Sequence, residues 1–322
     1  MSEEMVRVEG LSRCYGALTA VDDLSFAVHR GEMFGLIGPD GSGKTTTLRA
    51  GLGLLAPDKG QIATCGLHPV RQHAELTRRV GYLSQRFSLY GDLSVDENIA
   101  FFAEIHGVRH WRARRDELLE MVRMSPFRKR LADRLSGGMK QKLALMATLI
   151  HTPDLLVLDE PTTGVDPVSR RDFWRLLARL KNEGLTILLT TPYLDEAERC
   201  ERVALIDRGR LLSSDAPDAL CAAWDGQLLE VVARPQRTAV DVVRRVAQGK
   251  DVEVFGERLH VSLPRTSASE MAAVTARLRE ELSAAGVVVA EMRSIAPSLE
   301  DVFINAIRGA EARRAGEREG QA

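Results

Sequence analysis

The stretch GPDGSGKTT, Gly38 to Thr46, decides the fold of this chain. It matches the pattern GxxxxGK[ST] at Gly38, Gly43, Lys44 and Thr45. The apolar segment MFGLIG (33–38) leads into it, and TTLRAGLGLL, a run with helical character, follows it. A phosphate-binding loop needs this order of strand, loop and helix, because the helix start must point at the phosphate. The sequence therefore predicts such a loop within an α/β protein.

The residue types in this loop suit a nucleotide triphosphate. Glycines let the backbone wrap around a phosphate chain, so that successive N–H groups point inward. Lys44 would place its charge on the β and γ phosphates, and the Thr45 hydroxyl could ligate Mg²⁺. The predicted ATP-binding residues of the loop are Gly38, Pro39, Asp40, Gly41, Ser42, Gly43, Lys44, Thr45 and Thr46.

A carboxylate pair closes the apolar run LLVLDEP, at Asp159 and Glu160. Ligands of open α/β sheets bind at the carboxyl ends of the strands, which is where this pair falls. Asp159 would hold Mg²⁺, directly or through water, and Glu160 would polarise the attacking water. An Asp-Glu pair after a strand is also an ordinary helix start, but the phosphate loop in the same chain favours the catalytic interpretation.

A third motif, LSGGMKQK (135–142), opens the helical run KLALMATLI. Ser136 suits an N-cap, and a flexible helix start would account for the glycines. The same Ser136 and the free amides of Gly137 and Gly138 would also form a second anion site at a helix N-terminus. One chain would then have two phosphate-binding ends.

The remaining pattern predicts two domains and a tail. Apolar strands such as TILLTT (186–191) alternate with helices, which indicates a mostly parallel sheet, and the first stretch alternates like an antiparallel meander. A split βαβ order follows the boundary at 215–227. The predicted parts are a nucleotide-binding domain over 1–217 with a helical subdomain at about 87–150, a βαββαβ accessory domain over 218–308, and a disordered tail over 309–322.

Composition narrows the functional class. The 322 residues have a net charge of −1, so no global field draws the chain to nucleic acid. No apolar run approaches the roughly 20 residues that span a bilayer, and the acidic start lacks a signal peptide. The four cysteines form no CxxC pair and are typical of a reducing cytosol.

The motif order resembles the nucleotide-binding subunit of ATP-binding cassette (ABC) transporters, over residues 5 to about 215. Gly38–Thr45 and Leu155–Glu160 match the Walker A and Walker B motifs, and Leu135–Met139 the signature, with Met139 where glutamine is commonest. The resemblance implies further roles, for Tyr15 in stacking on adenine, for Gln85 in the Q-loop as a metal ligand and catalytic group, and for Asp166 in the D-loop. It implies a P-loop NTPase cassette fold with a RecA-like core, an antiparallel β subdomain and a helical subdomain.

Within the family, the Q-loop run and the ending PSLEDVFINAI look like exporter subunits of the ABC-2 class, of the multidrug efflux type. That resemblance implies ATP and Mg²⁺ as ligands, a transmembrane permease and a second cassette as partners, and a place at the inner face of the plasma membrane. Two cassettes would close head to tail on ATP and open after hydrolysis. DNA-repair and translation members of the family are disfavoured, because the chain has neither a long coiled coil between the Walker motifs nor a second cassette.

Two positions depart from the family pattern. Pro192 stands where the family usually has a histidine near the γ-phosphate, and proline offers no side-chain donor. Asp40 replaces the usual asparagine or serine and would repel a triphosphate. Loss of one preorganised donor costs on the order of 10²–10³ in rate. Two interpretations stay open: an active ATPase that tolerates both changes, or a largely non-hydrolytic half of a heterodimer whose signature completes a partner's site.

Overall fold

The computed structural model describes residues 3–85, 89–246, 252–265 and 267–319. It divides into two units, Met1–Pro217 together with Ala310–Ala322, and Asp218–Gly309. The strands are β1 Glu4–Tyr15, β2 Leu18–His29, β3 Met33–Ile37, β4 Lys59–Thr64, β5 Val80–Leu83, β6 Leu155–Asp159, β7 Thr186–Thr191, β8 Arg202–Asp207, β9 Arg210–Asp215, β10 Gln227–Arg234, β11 Val252–Phe255, β12 Arg258–Leu263 and β13 Val288–Ile295.

The helices complete the chain order. They are α1 Lys44–Gly51, α2 His73–Arg79, α3 Val95–Ile105, α4 Trp111–Met121, α5 Gly137–Leu149, α6 Pro167–Asn182, α7 Leu194–Ala197, α8 Pro217–Ala222, α9 Gln236–Val246, α10 Ala268–Ala284 and α11 Leu299–Glu319. Among the described residues, none of these helices is both long enough and apolar enough to cross a membrane.

A six-stranded sheet forms the centre of the first unit. Its order is β5-β6-β7-β3-β8-β9, parallel except for the antiparallel edge strand β9. Every residue of β3, β6 and β7 is buried, as expected where helices or a second sheet cover both faces. The predicted α/β core with a mostly parallel sheet is confirmed.

A second, antiparallel sheet has the order β2-β1-β4. Apolar side chains of β1 and β2 alternate with polar ones and pack against the central sheet in one core, which includes Met5, Leu24, Phe34 and Leu48. The antiparallel pairing expected for the first stretch is confirmed, but the order is not that of a meander, because β4 pairs with β1 and β3 joins the central sheet. The segment between β5 and β6 holds α3, α4 and α5, in keeping with the mainly helical pattern expected there, although positions 86–88 at its start lie outside the described residues.

The second unit is built on a four-stranded antiparallel sheet of order β11-β12-β10-β13. Its elements follow the order β10, α9, β11, β12, α10, β13, the split pattern expected from the sequence. One face of this sheet packs on α9 and α10 around Leu229, Val231 and Val261. Positions 309–319, where the sequence suggested a tail, continue α11 in the structure, and 320–322 lie outside the described residues.

Candidate active site

Three strands bring the predicted motifs to one edge of the central sheet. In the parallel register, Asp159 of β6 lies beside Thr190 of β7, and Ile37 of β3 lies beside Thr191. The phosphate loop leaves β3 directly after Ile37. Strand order alone therefore places the loop, the carboxylate pair and the end of β7 side by side, as the rule for open α/β sheets predicts.

The loop itself is tightly packed at its glycines. Gly43 has a φ of 99°, and a Cβ there would lie 2.4 Å from the carbonyl oxygen of Ala20. A Cβ on Gly38 would lie 2.3 Å from the carbonyl oxygen of Ile206. The buried Ser42 hydroxyl has no hydrogen-bond partner among the described residues. The glycines are thus required by close backbone approach, and the loop keeps its N–H groups at the start of α1.

Lys44 is 4% exposed and its ammonium group points back into the loop. Its Nζ donates to the carbonyl oxygens of Gly38 at 2.8 Å and Pro39 at 3.0 Å. It also lies 3.3 Å from Oε1 of Glu160. A buried ammonium with three oxygen partners is a fixed positive charge at the mouth of the loop, which is where phosphate oxygens would take the place of those partners.

Asp159 is almost fully buried and collects three hydroxyl groups. Its Oδ1 accepts from Thr45 Oγ1 at 3.0 Å and from Thr190 Oγ1 at 2.8 Å, and its Oδ2 lies 3.5 Å from the Tyr82 hydroxyl. Burial, and after it the nearby charge of Asp159, raises the pKa of Tyr82, so this phenol stays protonated.

These oxygens fit Mg²⁺, an ion that proteins bind through one or two oxygen ligands together with phosphates and water. Adjacent ligands of an octahedral Mg²⁺ lie about 3 Å apart, as its metal–oxygen distances of about 2.1 Å require. The distance of 3.0 Å between Thr45 Oγ1 and Asp159 Oδ1 matches that separation. Among the described residues, no group of three or more His, Cys, Asp or Glu is placed to hold a metal ion.

Glu160 lies next to this pair with its backbone in the left-handed region, at a φ of 48°. Its N–H donates to both the carbonyl and the hydroxyl oxygen of Thr190, at 3.1 and 3.0 Å, which holds that conformation. Gln85 Nε2 donates to Glu160 Oε2 at 3.0 Å, opposite the oxygen that faces Lys44. A carboxylate held between a cation and an amide has the fixed orientation that is needed to polarise a water molecule.

The serine-glycine motif begins α5, as predicted. Ser136 is the N-cap, and its hydroxyl accepts from the N–H of Met139 at 3.4 Å. Gly137 is exposed with open space around it, whereas a Cβ on Gly138 would lie 2.2 Å from the Ser169 hydroxyl. This helix start therefore meets the first turn of α6 through Gly138.

Asp166 caps α6. It accepts from the N–H groups of Val168 and Ser169 at 3.1 and 3.0 Å. Hydrogen bonds from Ser169, by its hydroxyl and by its backbone N–H, hold the pKa of Asp166 below its usual range, and the N–H of Val168 adds to this effect. The structure gives Asp166 this helix-capping role, and its contact with nucleotide stays a prediction.

Of three other predicted positions in the first unit, Tyr15 and Asp40 are exposed and Pro192 is half-buried. Tyr15 ends β1 and is 45% exposed, with the Arg13 guanidinium 5.2 Å from its ring centre. Asp40 is exposed in the loop. Pro192 follows β7, and the next N–H, that of Tyr193, donates to the Thr191 hydroxyl at 3.1 Å. Their roles toward adenine and phosphate stay predictions.

Sequence reasoning missed two members of the site, Tyr82 and Thr190. Both lie on strands that border the strand carrying Asp159, and the hydroxyl group of each reaches the Asp159 carboxylate. The only signal was indirect: TILLTT ends in hydroxyl residues at the edge where Asp159 ends its own strand. The sheet order, β5-β6-β7, was needed to use it.

A phosphate loop, a carboxylate strand and a serine-glycine helix start on this sheet define a P-loop nucleotide-binding cassette. The family model described as ABC transporter matches residues 21–163. The chain is 35% identical over 308 residues to the daunorubicin resistance ATP-binding protein DrrA3 of Streptomyces coeruleorubidus, covering 95% of this chain and 96% of that protein. It belongs to the ABC transporter family, so the resemblance and the predicted cassette fold are confirmed.

Two further comparisons agree. The probable multidrug ABC transporter ATP-binding protein YbhF of Escherichia coli (strain K12) is 41% identical over 223 residues, which is 68% of this chain. The chain spans only 38% of the length of that relative. A solved structure described as an ATP binding subunit of an ABC transporter is 30% identical with a TM-score of 0.62, covering 68% of this chain and 92% of that one.

Proposed function

We propose that the chain is the ATPase subunit of an ABC-2 type membrane exporter. The observation that carries this proposal is the position of the Glu160 carboxylate, held between Lys44 and Gln85 beside the Thr45–Asp159 pair. When bound, ATP supplies the γ-phosphoryl group and Mg²⁺ neutralises phosphate charge. Lys44 and the loop amides would bind the phosphates, while Thr45, Asp159 and Gln85 would hold the ion.

In this proposal, Glu160 orients the attacking water. Gln85 donates to its Oε2, which would limit rotation of the carboxylate once phosphate oxygens have taken the place of its Oε1 at Lys44. Positioning and fixed charge supply most of the rate in phosphoryl transfer, since the protein does little covalent chemistry. Two chains, or this chain and another cassette, would close on ATP so that Ser136, Gly137 and Gly138 of one meet the nucleotide of the other, with Tyr15 against the base and Asp166 near the contact.

The partner in the membrane would be a permease. An apolar groove of about 210 Å³ lies between the central sheet and the helices α3 and α5, lined among others by Leu54, Tyr82, Phe102 and His106. Burial lowers the pKa of His151 in this groove to about 4, so this imidazole is neutral at pH 7. A short apolar segment of a permease would fit this groove and would hold the subunit at the inner face of the membrane. Tyr82, which lines the groove, is three residues from Gln85 along the chain.

From the similarity to its relatives, we infer that the exported compound is a drug-like, lipid-like or polysaccharide-like molecule. Relatives of this chain include daunorubicin and linearmycin resistance proteins and Nod factor export proteins, at 31–44% identity. Export by this chain is part of the proposal, and the permease would select the compound.

Pro192 favours a second candidate, a largely non-hydrolytic half of a heterodimer. It follows β7 directly, at the edge where β6 ends at Asp159, and it can donate no hydrogen bond from its side chain or its backbone. In that case the chain would bind ATP, and its signature residues would complete the site of a partner cassette.

Steady-state ATP turnover of the purified chain with Mg²⁺ separates the two candidates. The variants are Glu160→Gln as background, Pro192→His to add an imidazole, and Pro192→Ala to remove the ring alone. We expect wild type to exceed the Glu160→Gln background clearly, which supports the ATPase. A wild type at background with Pro192→His well above both it and Pro192→Ala would support the heterodimer half. If wild type, Pro192→His and Pro192→Ala all bind ATP but show turnover no higher than Glu160→Gln, the ATPase proposal would be contradicted.

A further inference from the structure

A buried carboxylate that the site described above does not use lies directly behind it. Glu196, in α7, is 0% exposed. It accepts from Thr162 Oγ1 at 2.5 Å, Thr191 Oγ1 at 2.7 Å and Trp174 Nε1 at 3.2 Å, and the Arg170 Nε lies 3.0 Å away. A carboxylate without water is stable as an anion only when paired and hydrogen-bonded, and here both oxygens have partners.

The partners of Glu196 come from separate segments that border the reaction site. Thr162 is two residues after Glu160, and Thr191 is the residue before Pro192. Arg170 and Trp174 lie on α6, whose N-cap is Asp166. One carboxylate thus joins the loop after β6, the end of β7 and the helix that starts at the D-loop.

Arg170 extends this network to the surface. It makes a short ion pair with Asp195, and its guanidinium lies 5.2 Å from the centre of the Tyr193 ring. The turn after Pro192 is therefore held by the bond from Thr191 to Glu196 and by the contacts of Arg170 with Tyr193 and Asp195. A proline turn needs such support, because Pro192 has no N–H to tie it to a neighbouring strand.

We propose that Glu196 is a positioning residue, which fixes the Pro192 turn and the loop after Glu160 at set positions against α6. This rests on the proposed ATPase function, because the groups it positions are those of the hydrolytic edge. It touches none of the groups expected to hold phosphate, so its loss should lower kcat and leave the KM for ATP largely unchanged. A misplacement of about 1 Å can cost on the order of 10²-fold in rate.

The test compares two buried threonines of the same strand. Thr191 and Thr186 lie at opposite ends of β7 and are 1% and 0% exposed. The Thr191 hydroxyl donates to Glu196, and the Thr186 hydroxyl accepts from the Gly31 N–H at 2.9 Å. Each Val variant removes one buried hydroxyl, so similar losses in Tm are expected. Thr191→Val should lower kcat about tenfold or more at near-constant KM, while Thr186→Val should not, and Thr191→Ser should restore the rate.

A second readout needs no hydrolysis. Trp174 donates to Glu196, so a chain with Trp111→Phe and Trp224→Phe reports on this network by its one remaining indole. In Glu160→Gln with both changes, Mg-ATP should shift the Trp174 emission, Thr191→Val should abolish the shift, and Thr186→Val should keep it. This measurement stays valid if turnover itself is absent, which separates failure of this inference from failure of the ATPase proposal. Equal effects of the two Val variants on the emission shift, or on kcat where wild type turns over ATP, would overturn it.

Discussion

Thr190 is the residue through which the two carboxylates of the site depend on each other. Its hydroxyl donates to Asp159 Oδ1 at 2.8 Å and accepts from the Glu160 N–H at 3.0 Å. The side chain is fully buried, so neither group can exchange this partner for water. The hydroxyl orients one carboxylate and holds the left-handed backbone of the next residue.

We expect Thr190→Val to weaken the metal site and the catalytic carboxylate together. The substitution keeps the shape and removes one of two hydrogen-bond partners from the Asp159 Oδ1 and from the Glu160 N–H, a loss of about 0.5–1.5 kcal/mol per bond in the free energy of unfolding. The Mg²⁺ concentration for half-maximal ATP turnover should rise, as measured in a magnesium titration. Thr190→Ser is the matched control and should stay near wild type. An unchanged magnesium dependence in Thr190→Val would contradict this role.

Asp40 is a second residue that can be tested, in this case through its charge. It is exposed in the phosphate loop, where a carboxylate repels a triphosphate through water. Asp40→Asn should therefore tighten ATP binding by about twofold to tenfold at low salt, since exposed charges interact by about 1 kcal/mol at short range. The gain should shrink as salt rises toward 1 M, because the Debye length falls to about 3 Å. Fluorescent-nucleotide titration at two salt concentrations measures both effects, and a gain independent of salt would contradict the charge argument.

At the scale of elements, the sheet of the second unit carries a charged row across its strands. Glu230 of β10 lies opposite His260 of β12 and Arg293 of β13 in the register. Its carboxylate is 3% exposed and contacts the Arg258 guanidinium at 2.8 Å and that of Arg293 at 2.9 Å. His260 in turn contacts Asp301 of α11 at 2.8 Å. This row ties the first turn of α11 to the sheet.

The row predicts a loss of stability in acid. Burial opposes ionisation of Glu230, but hydrogen bonds from Arg258 and Arg293 outweigh it and lower the pKa from 4.5 to about 2. Because the folded-state pKa is depressed, the contribution is complete above about pH 5 and is lost as pH falls toward 2. We expect about 1–2 kcal/mol, reduced from the full linkage value because both arginines are half exposed.

Thermal unfolding of the whole chain between pH 3 and 7 measures this contribution. The difference in stability between wild type and Glu230→Gln should shrink as the pH falls from 6 to 3. Glu291→Gln is the control, since Glu291 also contacts Arg293, at 3.1 Å, but is 47% exposed. Its difference from wild type should be small at every pH. A Glu230→Gln difference that stays constant from pH 6 to 3 would contradict the assignment.

At the scale of the whole molecule, the helix starts at 44 and 137 are the two proposed anion-binding ends of the chain. If both serve one nucleotide between two chains, ATP should produce a dimer. Slow hydrolysis would preserve it, so Glu160→Gln with ATP should double the mass from 35.5 kDa to 2 × 35.5 = 71 kDa in light scattering. The dimer should dissociate when ATP is removed.

Gly137→Asp is the matched control for this dimer. Gly137 is exposed and a Cβ there meets nothing within 4 Å, so the fold should be unaffected. The added carboxylate would face phosphate and should keep the Glu160→Gln chain at 35.5 kDa with ATP, while its binding of nucleotide by its own loop stays intact. A dimer that forms equally well with Gly137→Asp would show that the signature helix is not part of the contact. A Glu160→Gln chain that stays at 35.5 kDa with ATP would point to the heterodimer.

The sequence by itself determined the family and predicted most of the groups that we propose as catalytic. GPDGSGKTT, LLVLDEP and LSGGMKQK fix local structure through glycine freedom, strand burial and a serine cap, and these are effects of neighbours in the chain. Lys44, Thr45, Asp159 and Glu160 could be assigned for that reason. The departure at Pro192 was equally visible, because it is a change of residue type at one position.

Only the tertiary structure decided which groups meet. Thr190 and Tyr82 reach Asp159 because β5 and β7 flank β6, and Glu196 meets Thr162, Trp174 and Arg170 because α7 packs behind that edge. In the second unit, Glu230 is a partner of Arg258 and Arg293 through strand register across 28 and 63 positions. Such contacts depend on strand order and register, which follow from the sum of many weak packing terms and leave no local mark in the sequence.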